Sequence, residues 1–106
     1  MATFGQTITA ARRSAGLSQK DLAARVYKED GTPISPQYLN DLEHDRRNPP
    51  AEHMLAQFAG LLDLPADYLC FVAGQLPPDL RQSSHAPERV AVAFRAFRKS
   101  LEGDAP

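Results

Sequence analysis

Proline is the residue that most limits what this chain can become. Nine prolines are spread over 106 residues. Proline lacks a backbone N–H and fixes φ, so it disrupts sheet ladders and helix interiors but is tolerated at the first turn of a helix. Pro33, Pro36, Pro49, Pro50, Pro65, Pro77, Pro78 and Pro87 all fall at or near the start of a segment with helical periodicity. No segment shows sustained period-two alternation, and there is no internal repeat or low-complexity tract. The expectation is therefore an all-α chain of short helices. Its length suits one domain with a modest core, and a hydrophobic content of 42% is ordinary for a globular protein.

The pattern predicts a first helix over about Thr3–Ala15, burying Phe4, Ile8, Ala11 and Ala15 and stopped by Gly16. A second runs over about Gln19–Val26, with Ser18 as N-cap and Asp21 completing a capping box. Its inner face is Leu22 and Val26, and Ala23 permits close approach. Tyr27 to Pro33 reads as a loop, with Gly31 at positive φ. A third helix spans about Ser35–His44, capped by Ser35 with Pro36 in the first position. Leu39 and Leu42 face inward, and Pro36, Gln37, Asn40, Asp41 and His44 outward. Two more follow: Ala51–Leu62, burying Leu55, Phe58, Ala59 and Leu62, and Pro65–Ala73, burying Leu69, Val72 and part of Tyr68, with Gly74 as the stop. Leu76–Leu80 adds one further turn, and Gln82–His85 reads as a linker. A last helix over Pro87–Leu101 carries Val90, Phe94, Phe97 and Leu101 on one stripe. The tail Glu102–Pro106 is expected to fray.

Charge and cysteine content exclude several classes. Net charge is −1, which argues against a general polyanion binder. Its distribution is uneven: residues 1–50 hold seven basic and six acidic side chains. Residues 51–80 hold Glu52, Asp63, Asp67 and Asp79 with no Lys or Arg, and residues 84–101 hold four basic groups against Glu88. There is no apolar run long enough to span a membrane and no signal-peptide pattern at the start. A single cysteine, Cys70, excludes an intrachain disulfide, so the cytoplasm is the expected compartment. Cys70 itself reads as a core residue. His44, His53 and His85 have no metal-ligand spacing, the glycines form no phosphate loop, and nothing marks an activated nucleophile. No catalysis, cofactor or metal is expected.

The stretch from Arg12 to Pro49 carries a resemblance. Arg12, Gly16, Leu17, Ser18, Gln19, Leu22 and Ala23 follow the pattern Arg-x-x-x-Gly-Leu-Ser-Gln-x-x-Leu-Ala. Ile34, Ser35, Tyr38, Leu39, Leu42, Glu43, Arg46, Arg47 and Pro49 continue it as Ile-Ser-x-x-Tyr-Leu-x-x-Leu-Glu and Arg-Arg-x-Pro. Together they resemble the phage repressor (Cro/C1, XRE-type) helix-turn-helix family over about residues 4–75. The resemblance implies a five-helix lambda-repressor-like domain over residues 1–76 that binds double-stranded DNA. Residues 77–106 would then be a linker and an added amphipathic helix.

What the resemblance implies for individual residues can be weighed against their chemistry. The third helix would enter the major groove, where base edges offer donors and acceptors. Gln37 and Asn40 carry amides suited to adenine. Asp41 can only accept, which fits a cytosine amino group. Pro36 offers apolar contact alone and leaves the sequence preference open. Gln19 stands where the family anchors a phosphate. Ser35 and Tyr38 can donate to phosphate, and Lys20, Arg46 and Arg47 would supply salt-sensitive affinity. Arg12 and Glu43 are expected to form a partly buried structural ion pair. The seven residues Tyr27–Pro33 depart from the family, which usually has a single residue there. The loop either extends the second helix and bulges outward, or lets Lys28 or Thr32 reach the DNA backbone.

One helix-turn-helix reads few base pairs, so a homodimer on two half-sites is expected. Val90, Phe94, Phe97 and Leu101 are the candidate dimer contact; the other possibility is that they pack back on their own domain. The first functional reading is a transcriptional regulator, a repressor of a palindromic operator. The second, from another class, is a protein-interaction module of antitoxin or adaptor type with secondary DNA binding.

Overall fold

The computed structural model describes residues 1–103. Within them the chain is all-helical: α1 Phe4–Ser14, α2 Gln19–Ala23, α3 Pro36–Glu43, α4 Glu52–Leu61, α5 Ala66–Val72, α6 Pro78–Gln82 and α7 Pro87–Glu102. No strand occurs among the described residues, only an isolated antiparallel bridge between Tyr27 and Pro33. No helix there is long and apolar enough to cross a membrane.

The helix starts follow from local chemistry. Thr3 and Gln6 form a capping box on α1, and Ser18 and Asp21 form one on α2. Each hydroxyl accepts an N–H that the helix leaves without a partner. The Ser18 hydroxyl and amide also hold the Asp21 carboxyl below its ordinary range. Ser35 caps α3 by accepting the Tyr38 N–H at 3.0 Å, with Pro36 next in line. Prolines likewise open α6 and α7.

Phe4 and Ile8 of α1, Leu22 and Ala23 of α2, Leu39 and Leu42 of α3, Leu55, Phe58 and Ala59 of α4, and Leu69 and Cys70 of α5 build the core, joined by Val26, Ile34 and Leu62. α1 packs on α3 and α5, α2 on α3, and α4 on α5. Among the described residues, every buried one lies between Phe4 and Cys70. Burial in apolar surroundings raises the Cys70 thiol above its ordinary pKa.

Several boundaries and faces differ from the sequence expectation. α2 ends at Ala23 rather than Val26, because the Val26 carbonyl is taken by the Ile34 N–H at 2.9 Å. Chain pairing there outcompetes another helical turn. The loop therefore does not extend α2. Lys28 N–H donates to Thr32 O at 2.8 Å and Gly31 N–H to Lys28 O at 2.9 Å, with Gly31 at φ 86°. The Asp30 carboxylate accepts from the Thr32 amide and hydroxyl, which holds its pKa below the ordinary range. Gln57 of α4 closes the base of the loop: its carbonyl oxygen accepts the Tyr27 N–H at 2.7 Å and its amide donates to the Tyr27 carbonyl at 2.8 Å. Ala15 is exposed because it lies at the C-cap of α1. Tyr68, expected to be partly buried, is 45% exposed, and Val72 is only partly covered. Glu102 is helical rather than frayed, and residues 104–106 of the expected tail lie outside the described residues.

Candidate nucleic-acid interface

The third helix is held by its C-terminal end. At its C-terminus Glu43 forms a bidentate pair with Arg12 of α1, at 2.6 Å from Nε and 3.0 Å from Nη2. Arg12 also donates to the Leu17 carbonyl at 2.9 Å. These two are the buried charged residues of the chain's described part, 8% and 6% exposed. Burial pushes the Glu43 carboxyl up, but the bonds from Arg12 and Gln19 and the nearby guanidinium charge outweigh it. Its pKa is held below the ordinary range. Two residues further on, Asp45 at φ 57° turns its carboxylate onto the start of α1. It accepts from the Thr3 hydroxyl at 2.5 Å and the Gly5 N–H at 2.9 Å. Gly5 is required there. A Cβ would stand 2.5 Å from the Glu43 carbonyl and 2.6 Å from that of Leu42.

Gln19, the first residue of α2, reaches across to α3. Its amide donates to Glu43 Oε1 at 2.9 Å and Asn40 Oδ1 at 3.1 Å. The sequence reading placed Gln19 and Asn40 separately at the DNA; the structure bonds them to each other. Both amide hydrogens of Gln19 are thereby used, which leaves its oxygen as an acceptor. Asn40 keeps both of its donors and one oxygen lone pair, enough for a bidentate pair with an adenine edge. A cleft of about 300 Å³ lies at this junction, with Arg13, Gln19, Glu43 and His44 among its walls. His44 Nδ1 sits 2.8 Å from the Asn40 carbonyl. A carbonyl only accepts, so this nitrogen carries the proton.

The outward face of α3 is a second small network. Gln37 Nε2 donates to Asp41 Oδ1 at 3.0 Å, and Arg46 Nε donates to the same oxygen at 3.2 Å. Asp41 is thus only partly exposed and has a cation beside it, which offsets the repulsion a bare carboxylate would exert on phosphates. Gln37 is exposed and retains its oxygen and one donor. The Arg47 guanidinium lies 5.5 Å from the Tyr38 ring centroid, a cation–π distance. Lys20, Ser35, Pro36, Arg46 and Arg47 are all exposed. Ser35 accepts the Tyr38 N–H and can still donate its hydroxyl proton.

Two short helices crossing at a shared polar junction, with the amides of the second turned outward, is the arrangement of a DNA-reading unit. A helix-turn-helix family model matches residues 8–69, more than half of the chain. The chain belongs to the Cro/C1-type (XRE) helix-turn-helix family of DNA-binding proteins. No curated protein and no solved structure matches it. In this helix-turn-helix protein the sequence reading missed Asp45, Gly5 and Gln57, all of which position α3 or the loop before it. Asp45 carries a faint signal, since the residue just past a helix often adopts positive φ and Asp tolerates that. Gln57 carries none, because its partner lies 30 residues away. Among the described residues no group of three or more His, Cys, Asp or Glu could hold a metal ion.

Proposed function

We propose that this DNA-binding regulator is a transcriptional repressor that binds a palindromic operator as a dimer. The observation that carries the reading is the bond-capable face of α3, where exposed Gln37 and half-buried Asn40 retain donors and acceptors that base edges require. Gln37 and Asn40 discriminate bases, Asp41 accepts from cytosine, and Pro36 contributes apolar contact. Lys20, Ser35, Tyr38, Arg46 and Arg47 hold the phosphates, while Gln19, whose amide hydrogens go to Asn40 and Glu43, positions α3 instead of anchoring a phosphate. Occupancy of the operator represses by occluding the promoter. Val90, Phe94, Phe97 and Leu101, all exposed on α7, supply the contact that joins two reading units. Residues 1–76 form the DNA-binding unit, and residues 77–106 serve assembly.

Selection of bound sequences from random DNA tests this directly. The expected product is an inverted repeat whose half-site centres lie about 10–10.5 base pairs apart, or a multiple of that. Gln37→Ala relaxes one position of each half-site, at about 1–3 kcal/mol. Arg47→Ala weakens all sequences alike and lowers the salt slope by about 1. Weak, sequence-blind DNA affinity beside tight binding to a protein partner would replace this reading with the protein-interaction module.

A further inference from the structure

Between α5–α6 and α7 lies a groove of about 750 Å³, a volume within the range of small-molecule sites. Phe71, Leu76 and Leu80 form one wall and Val90, Phe94 and Phe97 the other. α7 meets α5 through an edge-on pair, Phe71 and Phe97, with ring centroids 6.0 Å apart. None of the 16 residues of α7 is buried, and Val90, Phe94 and Phe97 are 38%, 40% and 45% exposed. The walls are apolar and wet, so an apolar body can enter without displacing any side chain from the core.

Three ionisable groups stand among these walls: Asp67, His85 and Arg89. Asp67 is accounted for by its own helix. It lies in the first turn of α5, where the helix dipole favours an acid. Arg89 has no such local reason. It lies in the first turn of α7, where the dipole opposes a cation. The ion pairs of the described residues are Arg12–Glu43, Arg46–Asp41 and Arg81–Glu52, and Arg89 is in none of them. Its neighbour Glu88 is not on the groove wall. A guanidinium is a planar fork of donors that matches a carboxylate, and the His85 ring adds a further donor. A cationic ligand would meet Asp67 alone and face Arg89.

We propose that this groove binds a free, apolar carboxylic acid, with its chain or ring between α5–α6 and α7 and its carboxylate on Arg89 and His85. Val90, Phe94 and Phe97 also belong to the stripe assigned above to the dimer contact. The acid and a second copy therefore compete for the same side chains, and the acid acts as an inducer that releases the operator, a consequence that rests on the dimer reading.

The test is displacement of the neutral dye N-phenylnaphthylamine from the full chain, followed by fluorescence. Decanoate is expected to displace it. Arg89→Ala raises the decanoate concentration needed by about tenfold, the loss of one charge-assisted bond, and leaves that of decanol within about twofold. Phe94→Glu, on the apolar wall, abolishes dye binding. Circular dichroism of both variants stays that of the wild type, since neither residue is buried. Equal effects of Arg89→Ala on decanoate and decanol overturn the carboxylate contact, as does decylamine that displaces the dye as well as decanoate does. Undiminished dye binding by Phe94→Glu overturns the groove as the site. A wild-type chain that takes up no dye and does not respond to decanoate overturns the small acid as the occupant. Sedimentation velocity keeps the two readings apart. Decanoate that binds but leaves a dimer intact, or a chain that is monomeric without it, overturns the α7 stripe as the dimer contact and leaves the acid site standing.

Discussion

Glu43 accepts three hydrogen bonds where α1, α2 and α3 meet, so its charge makes the stability of the reading unit depend on pH. Its folded pKa is depressed. The stabilisation it provides is therefore complete above the unfolded glutamate value of about 4.3 and is lost as pH falls through the lower folded value. Glu43→Gln leaves the buried Arg12 without its counter-charge, and the cost at pH 7 is about 3 kcal/mol. Urea unfolding of wild type and variant should differ by that amount at pH 7, with the gap closing below about pH 4.5. A gap that stays constant down to pH 3 would remove the ion pair as its source. Arg12 and Glu43 are recognisable in the sequence because they stand in a family pattern. Asp45 and Gly5 are not, since their contacts join positions about 40 residues apart and depend on α1 lying against the end of α3.

Among the elements, α2 and the loop after it depart most from what periodicity suggests. Leu22 and Val26 are spaced as one helical face, and both are buried, yet the helix stops at Ala23. Buried side chains at helical spacing do not require a continuous helix when the backbone has a better partner, here Ile34. The seven-residue insertion is a closed turn, held from outside by Gln57 through both polar groups of Tyr27. Gln57→Ala removes these two bonds. The expected loss is about 1–2 kcal/mol, confined to the loop. Amide hydrogen exchange should show Tyr27 opening faster, while Leu39 and Leu42 exchange as before. Unchanged exchange at Tyr27 would mean that the bridge to Pro33 suffices alone. The helix starts were easier to read: caps at Ser18 and Ser35 and prolines at positions 36, 78 and 87 act within a few residues of themselves.

For the molecule as a whole, the core and the last helix are separable. Since every buried residue among the described ones precedes Phe71, deletion of residues 84–106 should leave a folded body. Its thermal midpoint, measured at a concentration where the full chain is monomeric, should fall by no more than about 4 °C, the equivalent of roughly 1 kcal/mol. A truncated chain that no longer unfolds cooperatively would show that α7 belongs to the folding unit. The uneven charge has a meaning at this scale too. The segment 51–80 is acidic and α7 basic, so a net charge near zero hides two surfaces of opposite sign.

The sequence alone settled the all-α class, nearly all helix starts, most of the core stripe of each helix in the body except the Tyr68 and Val72 positions of α5, and the family. These depend on interactions within one or two helical turns, or on residue types at fixed spacing. The tertiary structure decided which polar groups meet: Gln19 with Asn40, Gln37 with Asp41 and Arg46, Asp45 with α1, and Gln57 with the loop. It also left Val90, Phe94, Phe97 and Leu101 between 38% and 64% exposed, with Phe97 edge-on to Phe71 of α5. Periodicity shows that a helix has an apolar face. Which surface covers that face depends on the positions of α5 and α6, distant in sequence from the residues they leave exposed.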